Sequence, residues 1–295
     1  MKTKLQRKLI TFDWAMKRLL RSKANFEILE GFLSELLNDD IVILELLESE
    51  SNKDSATDKY NRVDLKVKNN AGEIIIIEVQ YEREFDYLQR MLYGTARAIT
   101  EHQLEGTPYS SLVKVISVNI FYFDLGQGSD YIYRGTTSFT GIHDHDHLQL
   151  SSRQQQLYGK EQLFHLFPEY YLIRINNFND IAKTPLDEWI YFLKNEEIKD
   201  DFKARGIQKA KKAFSLLSLP EKDRVAYARY QDDLRHQASL VESNYGLGRL
   251  EGRQEGEKCK ALEIAVKMKQ KGALLEDVMD ITGLTRAEVE RVGGI

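Results

Sequence analysis

The sequence predicts an α/β fold in which a mixed β-sheet is flanked by helices, with a helical region toward the C-terminus. Three observations carry this. Apolar positions recur at helical spacing over residues 12–37, two strand-like runs at 61–69 and 73–81 surround an Asn/Gly turn, and a long helical stretch covers 84–103. A hairpin bracketed by helices has to bury its apolar surface beneath them, which is the layered α/β or α+β solution.

The first stretch places Phe12, Leu19, Leu20, Phe26, Leu29, Phe32, Leu33, Leu36 and Leu37 on helical faces, with a break near Ser22. Two helices are therefore expected, closed by Asn38, Asp39 and Asp40. Beyond the hairpin and its helix, residues 112–124 are β-branched and aromatic and long enough for a buried strand. A turn over Gly126 to Ser129 leads into another strand-like run at 131–139, and residues 169–176 complete the sheet.

From Pro185 the pattern becomes helical, over 186–195, 198–217 and 221–243, with Pro220 at a helix start. Gly248, Gly252 and Gly256 then recur four residues apart. That stripe reads as a weak polar helix or hinge, because each glycine costs about 1 kcal/mol relative to alanine, or as a face for pairing between chains, the reading preferred. The last segment reads as two short helices around Gly283, with Thr285 as N-cap and Glu288 three residues later, a helix-turn-helix-like pattern. The expected organisation is a main domain over 1–180, a helical domain over 181–245 and a C-terminal helical element over 246–295.

Hydrophobic residues make up 42% and charged residues 30% of the 295, a globular composition far from that of disordered or membrane chains. A single cysteine, Cys259, excludes an internal disulfide framework and any Cys-based zinc cluster within one chain. Because the N-terminal stretch MKTKLQRKL never becomes a long apolar run, the expectation is a cytoplasmic protein with no membrane partner. The net charge of -4 gives no sign of nucleic-acid binding, but residues 1–25 hold eight Lys or Arg, Lys17 among them, against Asp13 alone. That run is a candidate phosphate-facing patch, or else a solvated helix face.

The chemistry concentrates in the hairpin. If Gly72 takes the left-handed position of a three-residue loop, Asn70-Ala71-Gly72, then Asn69 pairs with Glu73, Asp64 with Glu78 and Arg62 with Gln80. Period-2 alternation puts all four inner side chains on one face, while Ile75, Ile77 and Val79 anchor the other in the core. Opposed carboxylates with Cβ atoms roughly 4.5 to 5.5 Å apart repel unless something compensates. A divalent cation does so, and Mg²⁺ prefers such hard oxygen donors, with the Val79 carbonyl as a third. The competing reading makes Asp64 and Glu78 unrelated surface acids paired with Lys66 or Arg62.

With the hairpin NRVDLKVKNNAGEIIIIEVQ, the stretch FDWAMKRLL, the helix with QRMLYGTARAI, the strand VISVNIFYF and the tail ending ITGLTRAEVERV, the chain resembles the PD-(D/E)XK nuclease superfamily, in particular its recombination-promoting nuclease (Rpn) and transposase group. The resemblance spans most of the sequence. It implies a restriction-endonuclease-like αβββαβ core and a Mg²⁺- or Mn²⁺-dependent DNA endonuclease with a role in recombination. Asp64 and Glu78 would be metal ligands and Gln80 would hold the third motif position. Most superfamily nucleases carry lysine there, and glutamine neither accepts a proton nor brings a positive charge. A catalytically weak or inactive DNA-binding, oligomeric protein is therefore the alternative.

On the helix after the hairpin, Asp86, Arg90, Tyr93 and Arg97 share a face, and Arg90, Arg97, Lys17 and Arg62 are the candidate contacts to DNA phosphates. Intrahelical pairing of Asp86 with Arg90 and of Arg97 with Glu101 is the alternative. Asp13 is a further acid of the site, an N-cap or a partner of Lys17. The run His143-Asp144-His145-Asp146-His147 reads as an exposed polar segment rather than a zinc site. Partners expected are DNA and further copies of the chain through its C-terminal helices.

Overall fold

A computed structural model describes residues 9–47, 64–103 and 105–292. Helix α1 (Phe12–Arg18) starts at Thr11, whose hydroxyl accepts from the Trp14 N–H, and helix α2 (Phe26–Leu37) ends at Asn38 in the left-handed region. Asparagine tolerates that conformation better than most side chains. A 3-10 turn at Lys23–Asn25 accounts for the break expected near Ser22.

Strand β1 (Ile43–Leu46) follows, and β2 (Leu65–Asn69) and β3 (Ile74–Gln80) form the expected hairpin. Gly72 has φ of 76°, and the Asn69 side-chain oxygen accepts from the Ala71 and Glu73 N–H groups at 3.1 and 2.8 Å. The ladder runs Leu65 to Ile77, Lys66 to Ile76 and Val67 to Ile75, the register that the loop length dictates.

Helix α3 (Tyr87–Glu101) leads to β4 (Val115–Phe121), then β5 (Ile132–Gly135), helix α4 (Ser152–Tyr158) and β6 (Glu169–Arg174). The six described strands lie in the order β1-β2-β3-β4-β6-β5. The β3, β4 and β6 neighbours are parallel and the outer pairs antiparallel, so the sheet is mixed as expected. All seven residues of β4 are buried, as a central strand covered on both faces requires.

One face carries Ile74, Ile76 and Val115, packed on Ala98 of α3, and beyond them Phe121 and Phe123 against Tyr87. Ile75, Ile77, Val79, Ile116, Val118 and Ile120 on the other face are all buried. Helix α5 (Pro185–Asn195) joins α1 and α2 through edge-to-face contacts among Phe12, Phe32, Trp189 and Phe192.

The helix expected over 198–217 shrinks to α6 (Ile207–Ala213). The Glu188 carboxylate accepts from the Lys203 and Ala204 N–H groups at 2.7 and 2.6 Å, and Gly206, at φ of 75°, reverses the chain before α6. There the backbone runs against α2: a Cβ on Gly31 would lie 2.2 Å from the Arg205 carbonyl oxygen. Gly31→Ala is expected to destabilise the fold by about 2 kcal/mol, since backbone on backbone has little room to yield. A urea midpoint equal to wild type would refute that close approach.

The helix expected at 221–243, the stretch with Gly248, Gly252 and Gly256, and the start of the last segment merge into one helix, α7 (Glu221–Gln270). Its glycines lower helix propensity without supplying a break, and exposed i,i+4 pairs such as Arg253 with Glu257 support it. A Cβ on Gly248, Gly252 or Gly256 would meet nothing within 4 Å among the described residues. Helices α8 (Leu275–Thr282) and α9 (Arg286–Arg291) bury Val278, Leu284 and Val289 with Ala265, and the expected Thr285/Glu288 capping box is present. The chain divides into two compact units, Met1–Arg224 and Val225–Ile295. Among the described residues no helix is long and apolar enough to cross a membrane.

Candidate active site

The last paired residues at the open end of the β2–β3 ladder are Leu65 and Ile77; Asp64, in the bend just before β2, and Glu78 are the next residue on either side. Asp64 Oδ2 accepts the Val79 N–H at 2.8 Å. Backbone N–H and C=O of one strand residue point to the same side, so the Val79 carbonyl also faces the Asp64 side. Gln80 follows Glu78 by two residues, on the same face as Asn119 and Phe121 of β4.

Two helices bring cations to these acids. The Lys17 ammonium lies 2.8 Å from Asp13, one turn earlier on α1, and 3.3 Å from Asp64. From α3, Arg90 pairs with Glu78 through Nη2 and with Glu84 through Nη1, the latter at 2.6 Å. Gln80 Nε2 donates to the same Glu84 carboxylate at 2.9 Å and to the Glu82 carbonyl at 3.3 Å. Beside Glu78 in the parallel ladder, buried Asn119 accepts from the Tyr87 hydroxyl at 3.2 Å and donates to Ser117 Oγ at 2.9 Å. A rigid wall of hydrogen bonds thus stands next to the second carboxylate.

Burial pushes the Glu78 carboxyl up to about 7; Arg90 pulls against this, while Asp64 and Glu84 add to it. Asp64 is raised as well, by burial first, with Lys17 opposing and Asp13 reinforcing. Burial alone would lower the Lys17 ammonium, but the charges of Asp64 and Asp13 together leave it raised. The pair of acids is therefore under-compensated by its own cations. Two partly buried hard oxygen donors, whose ionised form a nearby cation would favour, suit a divalent cation that takes one or two carboxylates and fills its remaining positions with waters and phosphate oxygens. Among the described residues no group of three or more His, Cys, Asp or Glu is placed to hold a metal.

The remaining candidates fall in different places. Asp13 is buried and pairs with Lys17, so it sits one residue removed from Asp64. Arg97 takes the intrahelical partner Glu101 at 2.7 Å, and Glu101 also holds the buried Lys66 at 2.9 Å. Arg62 lies outside the described residues. His143, His145 and His147 are all exposed. Glu84, Asn119 and Tyr87 escaped the sequence reading. Glu84 alone left a local signal, an acid four residues after Gln80 at the start of a helical stretch.

The family model for PD-(D/E)XK nuclease family transposases matches residues 10–244. The chain belongs to this family. No curated protein and no solved structure matches it at a significant level. Its six-stranded mixed sheet with flanking helices and long C-terminal helix is a restriction-endonuclease-like α/β fold, and the family assignment supports a nuclease-like function. The matched region contains every candidate of the site from Asp13 to Arg97.

Proposed function

We propose that this chain is a divalent-metal-dependent DNA endonuclease that hydrolyses phosphodiester bonds. The observation that carries the proposal is the Asp64 carboxylate, which accepts the Val79 N–H at 2.8 Å, beside Glu78 at the end of a hairpin whose other face is buried in the core. Mg²⁺ or Mn²⁺, held by Asp64, Glu78 and the Val79 carbonyl, would supply Lewis-acid stabilisation of the charge that develops on the phosphate.

The chain's own residues do the rest. Gln80 orients the attacking water by hydrogen bonding, without taking its proton. Lys17 brings to Asp64 the positive charge that Gln80 lacks, from α1 rather than from β3. Arg90, a guanidinium with five donors, is the cation of α3 nearest the acids and is suited to hold a phosphate oxygen. DNA is the partner, and the single exposed Cys259 is compatible with a reducing, cytoplasmic setting.

The test is nicking of supercoiled plasmid by the full chain. Cleavage is expected with Mg²⁺ or Mn²⁺ and should stop when EDTA removes the metal. The absent lysine favours one other reading, a DNA-binding protein without catalysis. Retention of plasmid in a gel-shift assay, with no nicking under either metal, would overturn the endonuclease and establish that alternative.

A further inference from the structure

Glu84 belongs to none of the motif positions. It lies on the turn between β3 and α3, and its Oε1 accepts two hydrogen bonds at once, from Gln80 Nε2 at 2.9 Å and from Arg90 Nη1 at 2.6 Å. Gln80 Nε2 reaches a second acceptor, the Glu82 carbonyl, at 3.3 Å. A primary amide nitrogen carries two hydrogens, whereas an ionised carboxylate and a carbonyl oxygen only accept. The amide of Gln80 must therefore turn its nitrogen toward both, which engages both hydrogens and leaves Oε1 as its available group.

We infer that Glu84 is a positioning residue: it fixes the Gln80 amide so that oxygen, not nitrogen, is presented to the reaction, and it ties that amide to Arg90 through one carboxylate. The inference rests on the endonuclease reading and sharpens it. Gln80 then serves the attacking water as an acceptor and has no hydrogen left for a phosphate oxygen. Negative charge on the phosphate falls to Arg90 and Lys17, the cations already beside Glu78 and Asp64. A glutamine at a lysine's position acquires a defined role here because an acid four residues later holds its donor end.

The experiment is a double-mutant cycle on the full chain, with kcat and KM for plasmid nicking measured for Gln80→Leu, Glu84→Leu and the double variant. Each single change is expected to lower kcat about tenfold to a hundredfold, with KM nearly unchanged, the usual cost of losing a group that orients a reacting residue. The double variant should be no slower than the worse single one, and Glu84→Gln, which keeps an acceptor oxygen, should retain most of the rate. Additive losses, or an effect of Glu84→Leu on KM alone, would overturn the inference by showing that Glu84 acts through Arg90 or through DNA binding. A readout independent of activity is hydrogen exchange of the Gln80 side-chain amide by NMR. It should be slow in the wild type and fast in Glu84→Leu. If the wild type nicks no DNA but that protection is lost in the variant, the endonuclease reading fails and the positioning stands. Equal exchange in both proteins would sink the positioning whatever the activity.

Discussion

Asp64→Asn and Glu78→Gln are each expected to lower metal-dependent nicking by on the order of a hundredfold to a thousandfold, the scale on which removal of one charge-stabilising group acts in a desolvated site. Both substitutions preserve volume, so the loss reports chemistry and not packing. In Asp64→Asn the new amide oxygen can still accept the Val79 N–H that Asp64 takes at 2.8 Å. What disappears is the negative charge that a hard cation needs and that currently holds Lys17 at Asp64 and Arg90 at Glu78. Circular dichroism should be unchanged and the affinity for Mn²⁺ should fall in parallel with the rate. Wild-type nicking by either variant would remove the hairpin acids from the mechanism.

The second large effect concerns stability, and it has the opposite sign in the same residue. The Glu78 carboxyl stands at about 7 in the folded chain against an ordinary 4.5. Between those values the folded state binds more protons than the unfolded state, so stability falls as the pH rises through that window. The penalty is absent below the unfolded value, complete above the folded one, and reaches about 3 kcal/mol. Asp64 is shifted in the same direction and adds to the slope. Glu78→Gln should therefore be more stable than wild type at pH 8 in the absence of metal, and equal to it at about pH 3.5, below the unfolded value. Urea midpoints of the two proteins at both pH values decide this. A difference that does not change with pH would show that Glu78 is as well compensated folded as unfolded. A carboxylate proposed to bind a metal that destabilises its own metal-free protein is the expected trade between function and stability.

Much of this site was legible in the chain because its geometry is local. The three-residue loop ending at Gly72 fixes which residue of β2 faces which residue of β3, and a period of two then assigns every side chain to a face. That Asp64 and Glu78 come next beyond the paired ends follows from counting. The same locality made α1 and α2, the central strand β4 and the Thr285/Glu288 cap readable. It failed at β1, where the four residues Ile43–Leu46 lie in an apolar and acidic run that suits either helix or strand. It failed again at residues 198–206, where Glu188 captures two backbone N–H groups and prevents a helix that the pattern allows.

What the sequence determined by itself is the hairpin, its register and the two acids at its open end, together with the absence of lysine at position 80. What tertiary structure decided is the company those acids keep. Lys17 comes from 47 positions before Asp64 and Arg90 from a helix packed over the sheet, while Glu84 gathers Gln80 and Arg90 on one carboxylate. Register is set by a loop of three residues, but ion pairs and desolvation depend on where whole helices come to rest, and that is decided by packing at a distance.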